Sequence, residues 1–265
     1  MFAVLTLDCT RRPGALWRRR FQSCVTQRRP AGEGWYYLIH HYCPAGRPDW
    51  KQLCRVLGRE KHHLIFPTDL TPPPDVGIRR YDSSAFCAQI LTRMFCRVLR
   101  DQPRPVGPAV LIDRDGVLQN TAERLLPLTP QLIISTQNSA KYLDFIRRAE
   151  LLYGVSPILG ESERSLQSAV AVLAPHGVGG VRLPDRAVLL GRKEDGGYYL
   201  EDGCLSLSPE VRDLVPQGIS PLEMLAALHE KCELRLPVGK ICPVLCKGGG
   251  KSSVSGLVFT ISCLT

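Results

Sequence analysis

The sequence predicts an α/β fold: a parallel sheet covered by helices, a smaller N-terminal α/β domain, and an antiparallel meander at one edge. Three observations carry this expectation. First, four short apolar runs recur in the middle of the chain, in Ala109-Val110-Leu111-Ile112, Leu132-Ile133-Ile134-Ser135, Ser156-Pro157-Ile158-Leu159 and Val170-Ala171-Val172-Leu173. They are too short for helices and apolar throughout, the pattern of strands covered on both faces. Second, polar, helix-compatible segments alternate with these runs, as βαβ units require. Third, the texture changes at Arg186. From there Ala187–Leu190, Gly197–Leu200 and Cys204–Leu207 are short strand candidates, with Asp195-Gly196 and Asp202-Gly203 as turn signals between them.

Taken in order, Phe2–Leu7 reads as a first strand and Gly34–His40 as a second. The basic segment between them carries Pro13-Gly14 and Pro30-Ala31-Gly32 and reads as a loop with one short helix over Ala15–Ser23. Asp49–Leu57 is expected to be a helix and His63–Phe66 a strand. Pro72-Pro73-Pro74 then forbids helix and central strand and marks a rigid connector. Over Ser84–Arg100, Phe86, Ile90, Met94 and Val98 recur at four-residue spacing, with Leu91 and Phe95 beside them, which defines one apolar helical stripe. The Pro- and Gly-containing stretch Asp101–Pro108 reads as a linker. A second helix is expected over Lys141–Tyr153, with Ser139 as N-cap and Gly154 as stop. Ser220-Pro221-Leu222-Glu223 is a capping box with proline at the first helical position, and it opens a helix running to Cys232. Beyond Glu233 only Val254–Ile261 has strand character.

These elements divide the chain into an N-terminal α/β domain over 1–105, ending in the Pro-rich linker, a Rossmann-like domain over 106–232, and a poorly patterned tail over 233–265. The hydrophobic fraction of 44% and charged fraction of 22% belong to ordinary globular proteins. No apolar run approaches the roughly 20 residues of a membrane span, and the apolar start precedes its basic residues, the reverse of a secretory signal. The expectation is a cytoplasmic protein without a membrane partner. The 11 cysteines are scattered without a C-x-x-C pair. Most sit in apolar segments, so reduced thiols are expected. Much of the net charge of +9 lies in arginines near the front. Arg18, Arg19 and Arg20, beside Trp17 and Phe21, are the candidate anion- or nucleic-acid-binding cluster.

The strongest chemical signal is Val110-Leu111-Ile112-Asp113-Arg114-Asp115-Gly116-Val117. It resembles the first motif of the haloacid dehalogenase phosphohydrolases, an apolar strand ending in Asp-x-Asp-Gly. The resemblance implies Asp113 as nucleophile, Asp115 as acid/base, and Mg²⁺ held by both. Physically, two carboxylates at a strand's carboxyl end stand where open α/β sheets bind ligands, and close like charges favour a hard cation. The run ending in Ser135-Thr136-Gln137-Asn138 resembles that family's phosphoryl-holding strand, with Ser135 or Thr136 in the role. The chain departs from the family in the short spacing between Asp113 and Ser135, and in lacking a lysine motif and an acidic pair after a later strand.

The two-domain layout is also similar to shikimate-dehydrogenase-type proteins, and closer still to uncharacterised bacterial two-domain Rossmann-like proteins. The loop after the first central strand lacks G-x-G-x-x-G and carries two carboxylates that repel pyrophosphate, so NAD in the usual pose is disfavoured. The leading reading is therefore a ligand-binding or regulatory protein for an unknown small molecule, with Ser135, Thr136 and Asn138 as ligand-binding candidates beside Asp113 and Asp115. The alternatives are the Mg²⁺-dependent phosphohydrolase and anion or nucleic-acid binding through the arginine cluster. Three minor signals complete the reading. Lys247–Ser253 ends like a phosphate-binding loop but reads as a mobile loop; His40-His41 and His62-His63 with Cys43 are a weak metal candidate; Gly177–Gly180 follows the fourth central strand.

Overall fold

The computed structural model describes residues 1–9, 24–43, 47–101, 107–160, 166–179, 182–183, 187–191, 197–199, 205–234, 239–241, 244–247, 250–253 and 259–261. The chain forms two compact units. One comprises Met1–Ser83, Leu205–Ile241 and Thr260–Thr265, the other Ser84–Cys204 and Cys242–Phe259. Among the described residues no helix is long and apolar enough to cross a membrane.

The first unit is built on a four-stranded sheet, with β1 (Ala3–Asp8), β2 (Cys24–Ala31), β3 (Gly34–Tyr42) and β4 (Leu64–Ile65) in the order β2-β3-β1-β4. β1 runs parallel to β3 and β4, while β2 and β3 form an antiparallel hairpin. The Cys24–Ala31 part of the segment read as a loop is thus a strand. It lies at the sheet edge and is exposed along most of its length, so arginines and Pro30 are tolerated where a central strand would exclude them. The helix expected over Ala15–Ser23 lies outside the described residues.

α1 (Trp50–Leu57) covers one sheet face, capped by Asp49, whose side chain accepts from Gln52 N at 3.0 Å. Leu53 and Leu57 of α1 pack with Ala3, Leu5, Ile39, Leu64 and Phe66 in one core. The later segment of this unit supplies α5 (Pro209–Arg212) and α6 (Pro221–Cys232). α6 starts as its capping box requires, with Ser220 Oγ accepting from Glu223 N. The end of α6 presses on the β2–β3 turn. Glu33 N donates to Cys232 O at 3.1 Å, and a Cβ on Gly32, whose φ is +55°, would stand 2.6 Å from that oxygen. Arg80 also ties this unit together. It donates to the carbonyls of Phe66 and Pro67, pairs with Glu223 at 3.0 Å, and stacks 4.1 Å over the Phe66 ring.

The second unit contains α2 (Ser84–Asp101), β5 (Ala109–Ile112), α3 (Gln119–Leu125), β6 (Leu132–Ser135), α4 (Leu143–Tyr153), β7 (Ile158–Leu159), β8 (Ala171–Ala174), β9 (Val188–Gly191), β10 (Gly197–Tyr199), β13 (Val244–Lys247) and β14 (Gly250–Ser253). Its eight-stranded sheet runs β14-β13-β10-β9-β8-β5-β6-β7. β7 through β10 are parallel throughout. Counted from β5, their order is 3-2-1-4-5-6, the doubly wound Rossmann arrangement. Every residue of β5, β6 and β8 is buried, which is why these segments read as continuous apolar runs. On one sheet face Val110, Ile112, Ile133, Val172 and Ala174 pack with Leu166, Ala169 and Val178.

An antiparallel meander stands at one edge of this sheet, as expected, but with different members. β10 is parallel to β9, and the meander is β10-β13-β14. β11 (Leu205–Leu207) instead pairs with β12 (Gly239–Ile241) in a small sheet that β15 (Phe259–Ile261) completes. Among the described residues the tail after Glu233 therefore supplies four strands, and in the stretch resembling a phosphate-binding loop Lys247 ends β13 opposite Gly250, which opens antiparallel β14. These strands are short, and β12 and β13 each pair with a strand far upstream, so local pattern does not announce them. The helix read from Lys141 begins as a 3₁₀ turn over Ser139–Tyr142 and becomes α-helical at Leu143. Ser139 is inside that turn rather than its cap. Gly154 ends α4 at a φ of +64°. Part of the linker read at Asp101–Pro108 lies outside the described residues.

Candidate functional site

In an open doubly wound sheet the ligand crevice opens where the strand order reverses, beyond the carboxyl ends of the strands. Here that point lies between β5 and β8. The loops after β5, β6 and β8 meet there, and the Asp-x-Asp-Gly stretch is the first of them.

Asp113 is 1% exposed. Its Oδ2 accepts from Leu118 N at 2.8 Å and from the Tyr142 hydroxyl at 2.6 Å. Its Oδ1 is buried without a hydrogen-bond partner among the described residues. The carboxylate therefore closes its own loop, satisfying the N–H that opens α3. Tyr142 is itself fully buried. Burial first, then the hydrogen bond and charge of Asp113, raise its phenol far above the usual range, so it stays a donor.

Gly116 makes this loop possible. Its φ is +67°, and a Cβ there would meet the Lys141 side chain at 3.0 Å. Asp115 and Arg114 are exposed. Lys141 Nζ donates to the Asp115 carbonyl at 2.7 Å. The loop after β6 fastens onto the same turn. Asp113 N donates to Ser135 O at 2.9 Å, Gln137 N to Arg114 O at 3.2 Å, and Thr136 Oγ1 to Arg114 O at 3.3 Å. Asn138 N donates in turn to Thr136 Oγ1. On the other side the Arg114 guanidinium donates to Gly179 O in the loop after β8. That loop contains exposed His176 and turns on Gly177 and Gly179, with φ of +99° and +62°.

The fold thus brings together most of the residues singled out in the sequence, and separates their roles. Ser135 is fully buried and Thr136 is 8% exposed, its hydroxyl tied between two loops. Asn138 is half-buried at the rim. Asp113 points inward and Asp115 outward. A divalent cation needs several free oxygen ligands. Here Asp113 Oδ2 already takes two donors and Lys141 Nζ donates to the Asp115 carbonyl, which leaves Asp113 Oδ1 and the exposed Asp115 carboxylate as the oxygens open to Mg²⁺. Among the described residues no group of three His, Cys, Asp or Glu side chains converges as metal ligands. His40 bonds Thr6 Oγ1 at 2.8 Å, and His41 lies on the opposite face. Arg18, Arg19 and Arg20 lie outside the described residues. The sequence reading missed Arg114, Lys141 and His176. The available signal was the placement of Arg114 and His176 two residues beyond the ends of β5 and β8.

No family model and no curated protein matches the chain. Among solved structures it is similar to the crystal structure of L-tryptophan dehydrogenase from Nostoc punctiforme, at 14% identity and a TM-score of 0.27, over 65% of this chain and 54% of that one. The chain thus spans about half the length of that enzyme. The strand order of the second unit defines a Rossmann-like α/β domain.

Proposed function

We propose that this chain is a ligand-binding Rossmann-like protein that takes a small anionic molecule at the carboxyl ends of β5, β6 and β8. The observation that carries the reading is the order reversal between β5 and β8, because open sheets of this order take ligands beside such a point and the segments holding Arg114, Lys141 and His176 follow β5, β6 and β8. Exposed Arg114 and Lys141 set two positive charges against the one exposed carboxylate, Asp115, Asp113 being buried, and Asn138 supplies a polar group at the rim. Ser135 and Thr136 support the loops from beneath. A dinucleotide in the usual pose is disfavoured on the same grounds as before, with one more: Asp113 already occupies the Leu118 N–H, one of the helix-opening donors that a pyrophosphate would use.

Ligands that bind only the folded state raise its stability, by about 2.7 kcal/mol at a hundredfold excess over Kd. Inorganic phosphate, adenosine monophosphate, citrate and NAD are the probes for a thermal melt of the full chain. At least one of the three small anions is expected to raise the midpoint, with the shift lost in Arg114→Ala and reduced in Lys141→Ala, and NAD is expected to act no better than adenosine monophosphate. A midpoint indifferent to all four, or an Arg114→Ala variant with the full response, removes the reading. The phosphohydrolase alternative is tested alongside: it requires Mg²⁺ to raise the midpoint of wild type and not of Asp113→Asn. Nucleic-acid binding through Arg18, Arg19 and Arg20 would show as an affinity falling steeply with salt.

A further inference from the structure

The end of the first unit's sheet gathers thiols. β1 and β3 are in parallel register through Asp8 and Tyr42, so Cys9 and Cys43 are the next opposed positions, and Cys43 N donates to Asp8 O at 3.0 Å. The two sulfurs lie 3.7 Å apart. Both are free thiols, Cys9 exposed and Cys43 buried. Neighbouring strands stand about 4.8 Å apart, inside the range of roughly 4.4–6.8 Å between Cα atoms that a disulfide bridges. Closing the remaining gap requires the sulfurs to approach by roughly 1.7 Å, a movement open to the exposed side chain of Cys9.

The neighbouring thiol is placed differently. Cys24 stands opposite His41, its sulfur 3.1 Å from Nδ1. His41 Nε2 accepts from Asp49 N at 3.0 Å, so the neutral ring carries its proton on Nδ1 and presents an N–H to Cys24. The ring has no free lone pair there to take the thiol's proton, so this pair is not a general-base and nucleophile dyad. Among the described residues no third metal-ligating side chain converges on Cys9 and Cys43.

We propose that Cys9 and Cys43 form a dithiol oxidation site that exchanges with low-molecular-weight disulfides. Exposed Cys9 meets the reagent. Its thiolate attacks one sulfur of the small disulfide, that S–S bond breaks, and a small thiolate leaves with the electron pair. Cys43 then gives up its proton and attacks the Cys9 sulfur. The mixed disulfide breaks, and a second small thiolate leaves. The two cysteines lose two electrons, the small disulfide gains them, and the two cysteine protons end on the two small thiols.

The test uses the full chain, reduced, freed of reductant and incubated with glutathione disulfide. Remaining thiols are then alkylated and the peptides mapped by mass spectrometry. In wild type the Cys9 and Cys43 peptides are expected to be joined, with only a trace of glutathione left on Cys9. In Cys43→Ala, which replaces the buried thiol with a small apolar group, the adduct on Cys9 rises to near stoichiometric. Cys9→Ser, altered only at an exposed position, is expected to leave Cys43 alkylated and free of glutathione. Any of three results overturns the proposal: a stable glutathione adduct on wild-type Cys9 with Cys43 free, linkage of Cys9 to Cys24 instead, or no reaction at Cys9.

Discussion

Asp113 holds the first crevice loop by a single carboxylate oxygen, and this decides what it is for. One oxygen accepts both the Leu118 N–H and the Tyr142 hydroxyl. Removing the carboxylate leaves two buried donors without their partner, and an unsatisfied buried donor costs about 1–3 kcal/mol. Asp113→Ala is therefore expected to destabilise the chain by roughly 2–4 kcal/mol, the sum of a lost cap and an orphaned phenol, read as a lower urea midpoint. Tyr142→Phe removes one donor and leaves the cap, so its cost is expected nearer 1 kcal/mol. If Asp113→Ala unfolds at the wild-type midpoint, the carboxylate is not a structural cap and the catalytic reading of the motif regains weight. Asp115 is the contrast. Its carboxylate is exposed, and Asp115→Ala is expected to be nearly neutral for stability.

At the scale of elements, Arg80 joins parts of the first unit that local sequence does not connect. Its planar fork reaches two carbonyls and the Glu223 carboxylate while its face lies on Phe66. A lysine keeps the charge and loses the fork and the stack. Arg80→Lys is expected to cost about 1–2 kcal/mol, and a denaturation midpoint equal to wild type would falsify this account. Arg80 also shows where reading the sequence stops. Segments that bury both faces were legible, because β5 and β8 are apolar throughout and β6 is apolar up to its last residue, Ser135, with no polar alternation. So were α1, α2 and α6, whose stripes and caps are local: Asp49 caps α1, and Ser220 with Pro221 starts α6. β2 was not legible, since an exposed edge strand needs no apolar pattern. β13 was not legible as part of this sheet because it pairs with β10, a strand far upstream, and β14 joins only through β13. At the candidate site the sequence pointed to loops at strand ends, where open sheets of this order bind ligands. It could not say that Ser135 is sealed in the sheet, that Thr136 holds a loop, or that Asp113 turns inward. Those follow from the side of the pleat each residue occupies and from which partners arrive from β6 and α4.

For the whole molecule, the titrating groups define a plateau of stability with two limbs. Burial, as the largest cause, raises the thiols of Cys96 and Cys232 and the phenols of Tyr36, Tyr81 and Tyr142 above their ordinary values, and it pushes Cys43 up to about 12. A group whose folded value is raised contributes stability in full below its unfolded value and loses it as pH rises toward the folded one. Unfolded thiols and phenols ionise near 9.0 and 10.0, so the alkaline limb is expected to begin near pH 9. On the acid side Glu230 is held below its ordinary 4.5, first by Lys231 and then by the Tyr81 hydroxyl. A lowered carboxylate contributes above its unfolded value and loses its contribution as pH falls through the folded one, so the acid limb begins below about pH 5. That limb is shallow, because the Glu230 side chain is 54% exposed and water screens the pair. Urea midpoints taken under reductant across this range check both limbs. Tyr142→Phe and Tyr81→Phe each remove one buried phenol, so each should flatten the alkaline limb. Tyr81→Phe should also weaken the acid one, because Glu230 loses a donor. An alkaline limb unchanged in both variants would mean that the thiols alone set it. A midpoint constant from pH 8 to about pH 11 would mean that these groups already ionise freely in the folded chain, contrary to their burial.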